Sequence, residues 1–420
     1  MFIKTPAKGM RDILPRDLIL RERVLDIIAR VYRSYGFNRI ETPCVEDINL
    51  LLGKEGGENE KLIFKILKRG EKLVDADNGE ICDYGLRYDL TVPLTRYYTN
   101  NIGVLPTVFK AMQIGNVWRA ERPQKGRFRQ FMQCDIDIIG EESNLAETEL
   151  ICATTDALSA IGFKGFTVKV NDRRILKALA LFAGFDENKH TDVFIALDKL
   201  DKIGEEGVRK ELIDNNLDIN CINKLMDATF VITKDKNPLE KAEKLLCDYL
   251  DVEVVDGLKE IFQTVMMVVN DCHVQFDMSL VRGMNYYTGT IFEIVMDGVG
   301  YSVAGGGRYD NLIGHFTGKS VAACGFSIGF ERIINILMEQ NAFDNDENSG
   351  IIYIISKNAP VDKISKVYLE AKEARIDGRK CSVMKKMKNF KLQLDEAVKD
   401  NYCEAFVLNE DGEIKHMILK

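Results

Sequence analysis

Residues 118–131 read WRAERPQKGRFRQF, and the reading of this stretch decides the fold. Strand-like runs at 108–118 and 129–139 flank a loop carrying Pro123 and Gly126, which predicts an antiparallel hairpin. Arg119, Arg122, Lys125, Arg127 and Arg129 stand within eleven positions of one another. Side chains alternate along a strand, so Arg119 shares a face with Glu121, and Arg127 and Arg129 share one with Phe131. An arginine on a rigid strand can hold an α-phosphate bidentately, a glutamate can accept from an adenine amine, and a phenylalanine can stack on a base. Such a hairpin would cradle a bent nucleotide. A salt-bridged surface hairpin is the competing account of the same residues.

The chain continues QFMQCDIDIIG, which alternates Gln133, Asp135 and Asp137 onto one face just beyond the arginines. Beside a nucleotide, a buried amide and carboxylate could hold a small polar substrate; on an edge strand they would be an outward polar face. RYDLT at 87–91 adds another carboxylate and hydroxyl. RGMNYYTG at 282–289 combines one arginine, two tyrosines and two glycines, a set that alone fits a core and a turn. There is no GxxxxGK[ST] loop, and GGGRYD does not match the dinucleotide fingerprint.

Spreading outward, 420 residues exceed one ordinary core and suggest two to four domains. With 46% hydrophobic and 29% charged residues, the composition is that of a globular protein. No apolar run reaches the length of a membrane span, and MFIKTPAKGM lacks the apolar centre of a signal peptide, so a cytoplasmic location is expected. Ten cysteines without CxxC pairs read as thiols in a reducing compartment. Four histidines and no HExxH give no support to a structural zinc site, and no metal ligand is assigned among the side chains. A net charge of −8 argues against indiscriminate nucleic-acid binding. Residues 351–420, with 14 Lys+Arg against 11 Asp+Glu, are mildly basic; RNA contact and a solvated helical face both fit that charge.

Apolar residues at three- and four-residue spacing predict a helix over 17–35, closed by Gly36 and followed by a strand running into Pro43. Further strands are expected at 86–92 and 166–170, and a helix at 144–161. Residues 171–270 are helix-patterned, with VFIAL the one strand-like run. Strand signals return in MSLVRGMNYYTGTIFEIVMD, AGGGRYDNL reads as a Gly-rich turn, and CGFSIGFERIINILME passes from strand into helix. The expected class is α+β: an antiparallel-sheet core with a helical insertion and a small C-terminal α/β domain. The expected boundaries are core at 1–170, insertion at 171–270, core again at 271–338, linker at 339–350 and terminal domain at 351–420.

The helix 17–35 with its strand, WRAERPQKGRFRQF and GFSIGFERI (325–333) resemble motifs 1, 2 and 3 of class II aminoacyl-tRNA synthetases. RGMNYYTG and AGGGRYDNL resemble the two histidine-specific motifs of histidyl-tRNA synthetases, and the resemblance runs over essentially the whole chain. It implies a histidine–tRNA ligase that uses ATP with Mg²⁺ to form histidyl-adenylate and passes histidine to the 3′ end of tRNA(His). The α-amino group would be held by Asp89, Thr91 and Gln133, with Leu90 on the same histidine side. Asp137 and Tyr286 would grip the imidazole and Tyr287 would shape the pocket. Arg119 and Arg282, the catalytic pair, would flank the α-phosphate. Glu121 and Phe131 would read adenine, and Arg127 and Arg332 would take the β- and γ-phosphates. L-Histidine, ATP, tRNA(His) and a second copy in a homodimer are the implied partners.

Three features depart from the family pattern. Asn285 stands where an acid is common, Asp137 stands where many members carry glutamate, and the terminal domain stops at HMILK, shorter than usual. The alternative to the enzyme is a silent paralogue, a histidine-sensing regulatory subunit of ATP phosphoribosyltransferase; such paralogues erode the phosphate ligands of motifs 2 and 3 and lose the terminal domain.

Overall fold

The computed structural model describes residues 3–53, 58–74, 81–123, 127–270, 272–281, 283, 287–340 and 350–419. The chain divides into two compact units, Met1–Ile13 with Arg21–Asn335, and Leu14–Leu20 with Ile336–Lys420.

The first unit is built on an eight-stranded sheet. Its order is Asn38–Arg39, Phe109–Trp118, Gln130–Ile139, Ala323–Ile328, Ala304–Arg308, Thr290–Met296, Phe166–Asp172, Cys272–Phe276. The two outermost pairs are parallel and every other neighbour is antiparallel. The expected hairpin is the centre of this arrangement, pairing Phe109 with Ile139 at one end and Trp118 with Gln130 at the other. Its apolar alternation places Ile136 and Ile138 in the core; further across the sheet, Phe292 and Phe326 meet edge to face at 4.7 Å over the intervening strand Ala304–Arg308. The α+β class holds.

Several local expectations change. The run 86–92 is not a strand: the strand Cys82–Leu86 ends there, and helix Thr91–Asn101 begins. Asp89 starts it by accepting from the Val92 N–H at 3.0 Å, and Pro93 sits in the first turn, where its missing N–H costs nothing. VFIAL lies in helix His190–Leu197, whose buried face uses Val193, Phe194 and Leu197. CHVQF, which no sequence signal singled out, is the edge strand Cys272–Phe276. AGGGR is a strand, not a turn. A Cβ on Gly306 would lie 2.1 Å from the Gly325 carbonyl oxygen and 2.8 Å from the Phe292 ring, so only glycine lets the strand approach this closely.

Between strands Phe166–Asp172 and Cys272–Phe276 the chain is helical from Arg173–Ala183 to Val252–Val268. Aspartates at 172, 218 and 251 cap three of these helices through their carboxylates.

The second unit carries a four-stranded sheet, Cys381–Lys385, Gly350–Ile355, Tyr402–Leu408, Ile414–Ile418, parallel except for its last strand. IIYII is apolar throughout because both faces are covered. Ile352 and Ile354 pack with Ala397 of helix Phe390–Lys399, and Ile351 and Tyr353 with Val367 and Ala371 of helix Val361–Ile376. All ten cysteines are free thiols. Among the described residues no helix is long and apolar enough to cross a membrane.

Candidate active site

The polar face of the Gln130–Ile139 strand is buried. Asp135 and Asp137 are 4% and 2% exposed, so neither carboxylate is solvated. Gln133 Nε2 donates to Ser327 Oγ at 3.1 Å and lies 3.4 Å from Asp135 Oδ2. Tyr309 donates to Asp137 Oδ1 at 2.6 Å. Gln133 Oε1, Asp135 Oδ1 and Asp137 Oδ2 are buried with no hydrogen-bond partner among the described residues. Asp89 approaches from the adjoining helix start, and Leu90, 1% exposed, accepts from Gln113 Nε2 at 2.9 Å through its carbonyl. Thr91 is the first residue of that helix.

Burial raises all three carboxyls. Asp89 is pushed up to about 6, against the pull of the Val92 N–H and the Arg119 charge. Asp137 is pushed up to about 7, with the Tyr309 hydrogen bond pulling it down and Asp89 pushing it up. Asp135 lies well above the usual carboxylate range, from burial first and the charge of Asp137 second. A ligand bearing an ammonium and a ring N–H would supply the positive charge and the donors that these oxygens lack.

Arg119 adjoins this face. Its Nε donates to the Tyr88 carbonyl at 3.0 Å, and its guanidinium lies 5.1 Å from the Phe131 ring centroid. Glu121 is half-buried and Arg127 is exposed. Arg129, counted among the phosphate-competent cations in the sequence, is spent inside the hairpin, donating through Nε to the Glu121 carbonyl at 3.0 Å. Arg332 is turned toward the Ser302 carbonyl, with its guanidinium 5.3 Å from the Tyr301 ring centroid. Lys125, Gly126, Arg282, Asn285 and Tyr286 lie outside the described residues.

The glycines of the two tyrosine-bearing motifs admit one ring. Gly283, at φ +70°, would place a Cβ 2.2 Å from the Tyr287 ring, and a Cβ on Gly307 would lie 2.9 Å from that ring's other edge. Burial, with the charge of Cys324 and Asp135 behind it, holds the Tyr287 phenol well above its ordinary pKa.

The model of the family described as histidyl-tRNA synthetase matches residues 9–333. The chain belongs to the histidyl-tRNA synthetase family. A histidine–tRNA ligase of Leifsonia xyli subsp. xyli is 42% identical over 404 residues, spanning 94% of this chain and 92% of that relative. The histidyl-tRNA synthetase structure from Nostoc sp. aligns with a TM-score of 0.79 at 25% identity, over 100% of this chain and 97% of that one. A Bacillus halodurans structure described as an ATP phosphoribosyltransferase regulatory subunit/histidyl-tRNA synthetase aligns with a TM-score of 0.78, over 97% of this chain and 98% of that one; at 20% identity this likeness speaks for the fold alone.

Against this histidyl-tRNA synthetase background, three residues emerge that sequence reasoning passed over. Tyr309 orients Asp137 from the middle of AGGGRYDNL, a motif singled out for its glycines. Ser327 holds Gln133 from the neighbouring strand. Glu331, beside Arg332, receives both guanidinium nitrogens of Arg21 at 2.7 Å. None carries a local signal: each acts through a partner many residues away, and only the tertiary fold brings the pairs together.

Proposed function

We propose that the protein activates L-histidine with ATP and transfers it to the 3′ end of tRNA(His). One observation carries this reading: buried oxygens of Gln133, Asp135 and Asp137 that have no hydrogen-bond partner among the described residues line one strand face beside Arg119 and Asp89. In this reading the α-ammonium goes to Asp89, Thr91 and Gln133, and the imidazole to Asp137 and Tyr286, with Tyr287 and Leu90 shaping the pocket. An amino acid that cannot satisfy both ends leaves buried polar groups unpaired, the strongest form of rejection.

The histidine carboxylate attacks the α-phosphorus of ATP in line; the new O–P bond forms as the bond to pyrophosphate breaks. Arg119 and Arg282 offset the charge that grows on the α-phosphoryl oxygens. Glu121 and Phe131 bind the adenine, and Arg127 and Arg332 the outer phosphates. Mg²⁺ belongs with ATP as substrate, since phosphate oxygens and water supply most of its ligands. The terminal adenosine hydroxyl of the tRNA then attacks the acyl carbon and AMP leaves. Positioning and charge supply the rate, so no nucleophilic side chain is needed.

The retained Arg119, Glu121, Arg127, Phe131 and Arg332 and the four-stranded second unit support the enzyme over the silent regulatory-subunit reading. A homodimer, the commonest assembly, is supported by the exposed apolar residues Val45, Leu67 and Tyr84 on the small sheet Val45–Asp47, Cys82–Leu86, Lys65–Leu67. Histidine-dependent ATP–pyrophosphate exchange, followed by charging of tRNA(His), tests the function; exchange that does not depend on histidine would overturn it.

A further inference from the structure

The two arms of the nucleotide hairpin are anchored by different parts of the chain. On the outgoing arm, the Trp118 N–H donates to the Arg87 carbonyl at 2.9 Å and the Ala120 N–H to the Leu62 carbonyl at 2.8 Å. The return arm is tied instead to the N-terminal segment. The Arg129 N–H donates to the Gly9 carbonyl at 2.8 Å, and Arg129 Nη1 reaches the Lys8 carbonyl at 3.4 Å. Arg11 lays its guanidinium 4.0 Å from the Phe128 ring centroid. The same guanidinium pairs with Glu331, which also binds Arg21 and lies 3.4 Å from the Met132 N–H.

Gly9 is bent for this contact. Its φ is +85°, and a Cβ there would lie 2.8 Å from Pro123 Cγ and 2.9 Å from Arg129 Cδ. The turn is closed by the Met10 N–H on the Ala7 carbonyl at 2.9 Å. Backbone hydrogen bonds, a cation–π contact and an ion-pair cluster thus converge on residues 128–132, three kinds of interaction where one would suffice for mere packing.

We infer that Lys8–Arg11 is a clamp that sets the return arm of the hairpin, making Gly9 and Arg11 positioning residues for ATP. The arm it fixes carries Arg127 and Phe131, and Phe131 in turn faces Arg119. Release of the clamp moves the adenine and outer-phosphate contacts while leaving the Asp89 and Asp137 side alone. A displacement of about 1 Å in such a site is enough for a large kinetic effect.

The inference rests on the ATP-binding part of the function proposed above, so its test reads binding separately from turnover. In the full-length chain, Arg11→Gln removes the charge and Phe128→Leu removes only the ring beneath it. Titration calorimetry should show the Kd for ATP rising about tenfold in both variants, with the Kd for histidine within about twofold of wild type. Arg11→Lys should recover part of the loss, since it restores the charge without the planar stack. Thermal unfolding confirms folding, and Phe128→Leu keeps the Glu331 cluster intact should Arg11→Gln unfold. Equal shifts for ATP and histidine, or unchanged ATP affinity in folded variants, would overturn the clamp. Shifted ATP affinity without histidine-dependent exchange in wild type would sustain the clamp and remove the ligase; wild-type protein that does not bind ATP would overturn both.

Discussion

Tyr309 and Asp137 meet across a strand that belongs to neither of them. The phenol donates to Asp137 Oδ1 at 2.6 Å over the position of Gly325, the residue paired with Asp137 on the neighbouring strand. A Cβ on Gly325 would lie 2.1 Å from that carboxylate oxygen and 3.2 Å from the tyrosine ring. The bond exists because glycine leaves the space. It holds one oxygen of Asp137 and leaves Oδ2 without a partner among the described residues.

Tyr309→Phe should therefore impair histidine use selectively. Removing the donor takes away the interaction that holds the Asp137 pKa down to about 7 against burial, so the carboxyl becomes more protonated at neutral pH. A hydrogen bond to a charged group is worth about 1.5–3 kcal/mol, which corresponds to a histidine KM raised roughly ten- to a hundredfold. The KM for ATP should stay near wild type. In exchange assays across pH, the acidic limb of 1/KM for histidine should move to higher pH; an unmoved limb would place Asp137 outside the histidine pocket.

The same carboxyl makes the free protein lose stability as pH rises. Asp137 has an ordinary pKa of 3.8 and sits at about 7 when folded, so between these values the folded state holds a proton that the unfolded state has released. Its contribution is fully present below about pH 4 and is lost as pH climbs through about 7. Asp89, pushed up to about 6, acts in the same direction. Asp137→Asn should flatten the dependence by roughly 2–3 kcal/mol between about pH 5 and pH 8, read from denaturant melts of the ligand-free chain. Saturating histidine should flatten the wild-type curve too, because its positive charge stabilises the ionised pocket.

What was legible in the sequence divides along physical lines. The hairpin could be read because alternation and a Pro/Gly loop are local signals, and the doubly covered strand Gly350–Ile355 because an apolar run bounded by helices leaves few choices. The polar face of Gln133, Asp135 and Asp137 was visible as spacing; its burial was not, since burial depends on Ala323–Ile328 arriving from almost two hundred residues away. AGGGR misled because glycines usually mark turns, whereas here they let three strands approach closely. The mistaken strand at 86–92 has the opposite cause: apolar and β-branched residues suggested extension, and one aspartate with one proline imposed a helix start.

The pair Arg308–Glu147 should behave as a buried ion pair whose loss is asymmetric. Arg308 Nε and Nη2 donate to the two carboxylate oxygens at 2.7 Å, and Nη2 also to the Ser143 carbonyl at 3.0 Å. Burial alone would lower the guanidinium pKa, but Glu147 outweighs it and raises the value. Arg308→Met leaves a carboxylate that is 0% exposed without its cation and should cost about 3–5 kcal/mol in guanidinium unfolding. Combining it with Glu147→Leu should recover much of that loss. A double variant as unstable as the sum of the two single variants would show that the pair is not energetically coupled.

The basic loop of the second unit gives the last prediction. Lys385, Lys386, Lys388 and Lys391 are all exposed, from the end of strand Cys381–Lys385 to the first turn of helix Phe390–Lys399. The loop is shaped by a buried amide. Gln393, 3% exposed, accepts from the Met387 N–H at 2.9 Å and donates to the Lys385 carbonyl at 3.0 Å. A fixed row of cations suits a phosphate backbone, where affinity comes from counterion release. Replacing all four lysines by alanine should leave histidine-dependent exchange at the wild-type rate, because the residues proposed for that chemistry lie in the first unit. The KM for tRNA(His) should rise, and the slope of log KM against log salt should fall by up to about 0.7–0.9 for each phosphate that is no longer neutralised. Gln393→Ala, which keeps every charge and releases the loop, should raise the tRNA KM while leaving the salt slope nearly unchanged. Charging kinetics identical to wild type in the four-lysine variant, measured at moderate salt, would remove this loop from the RNA face.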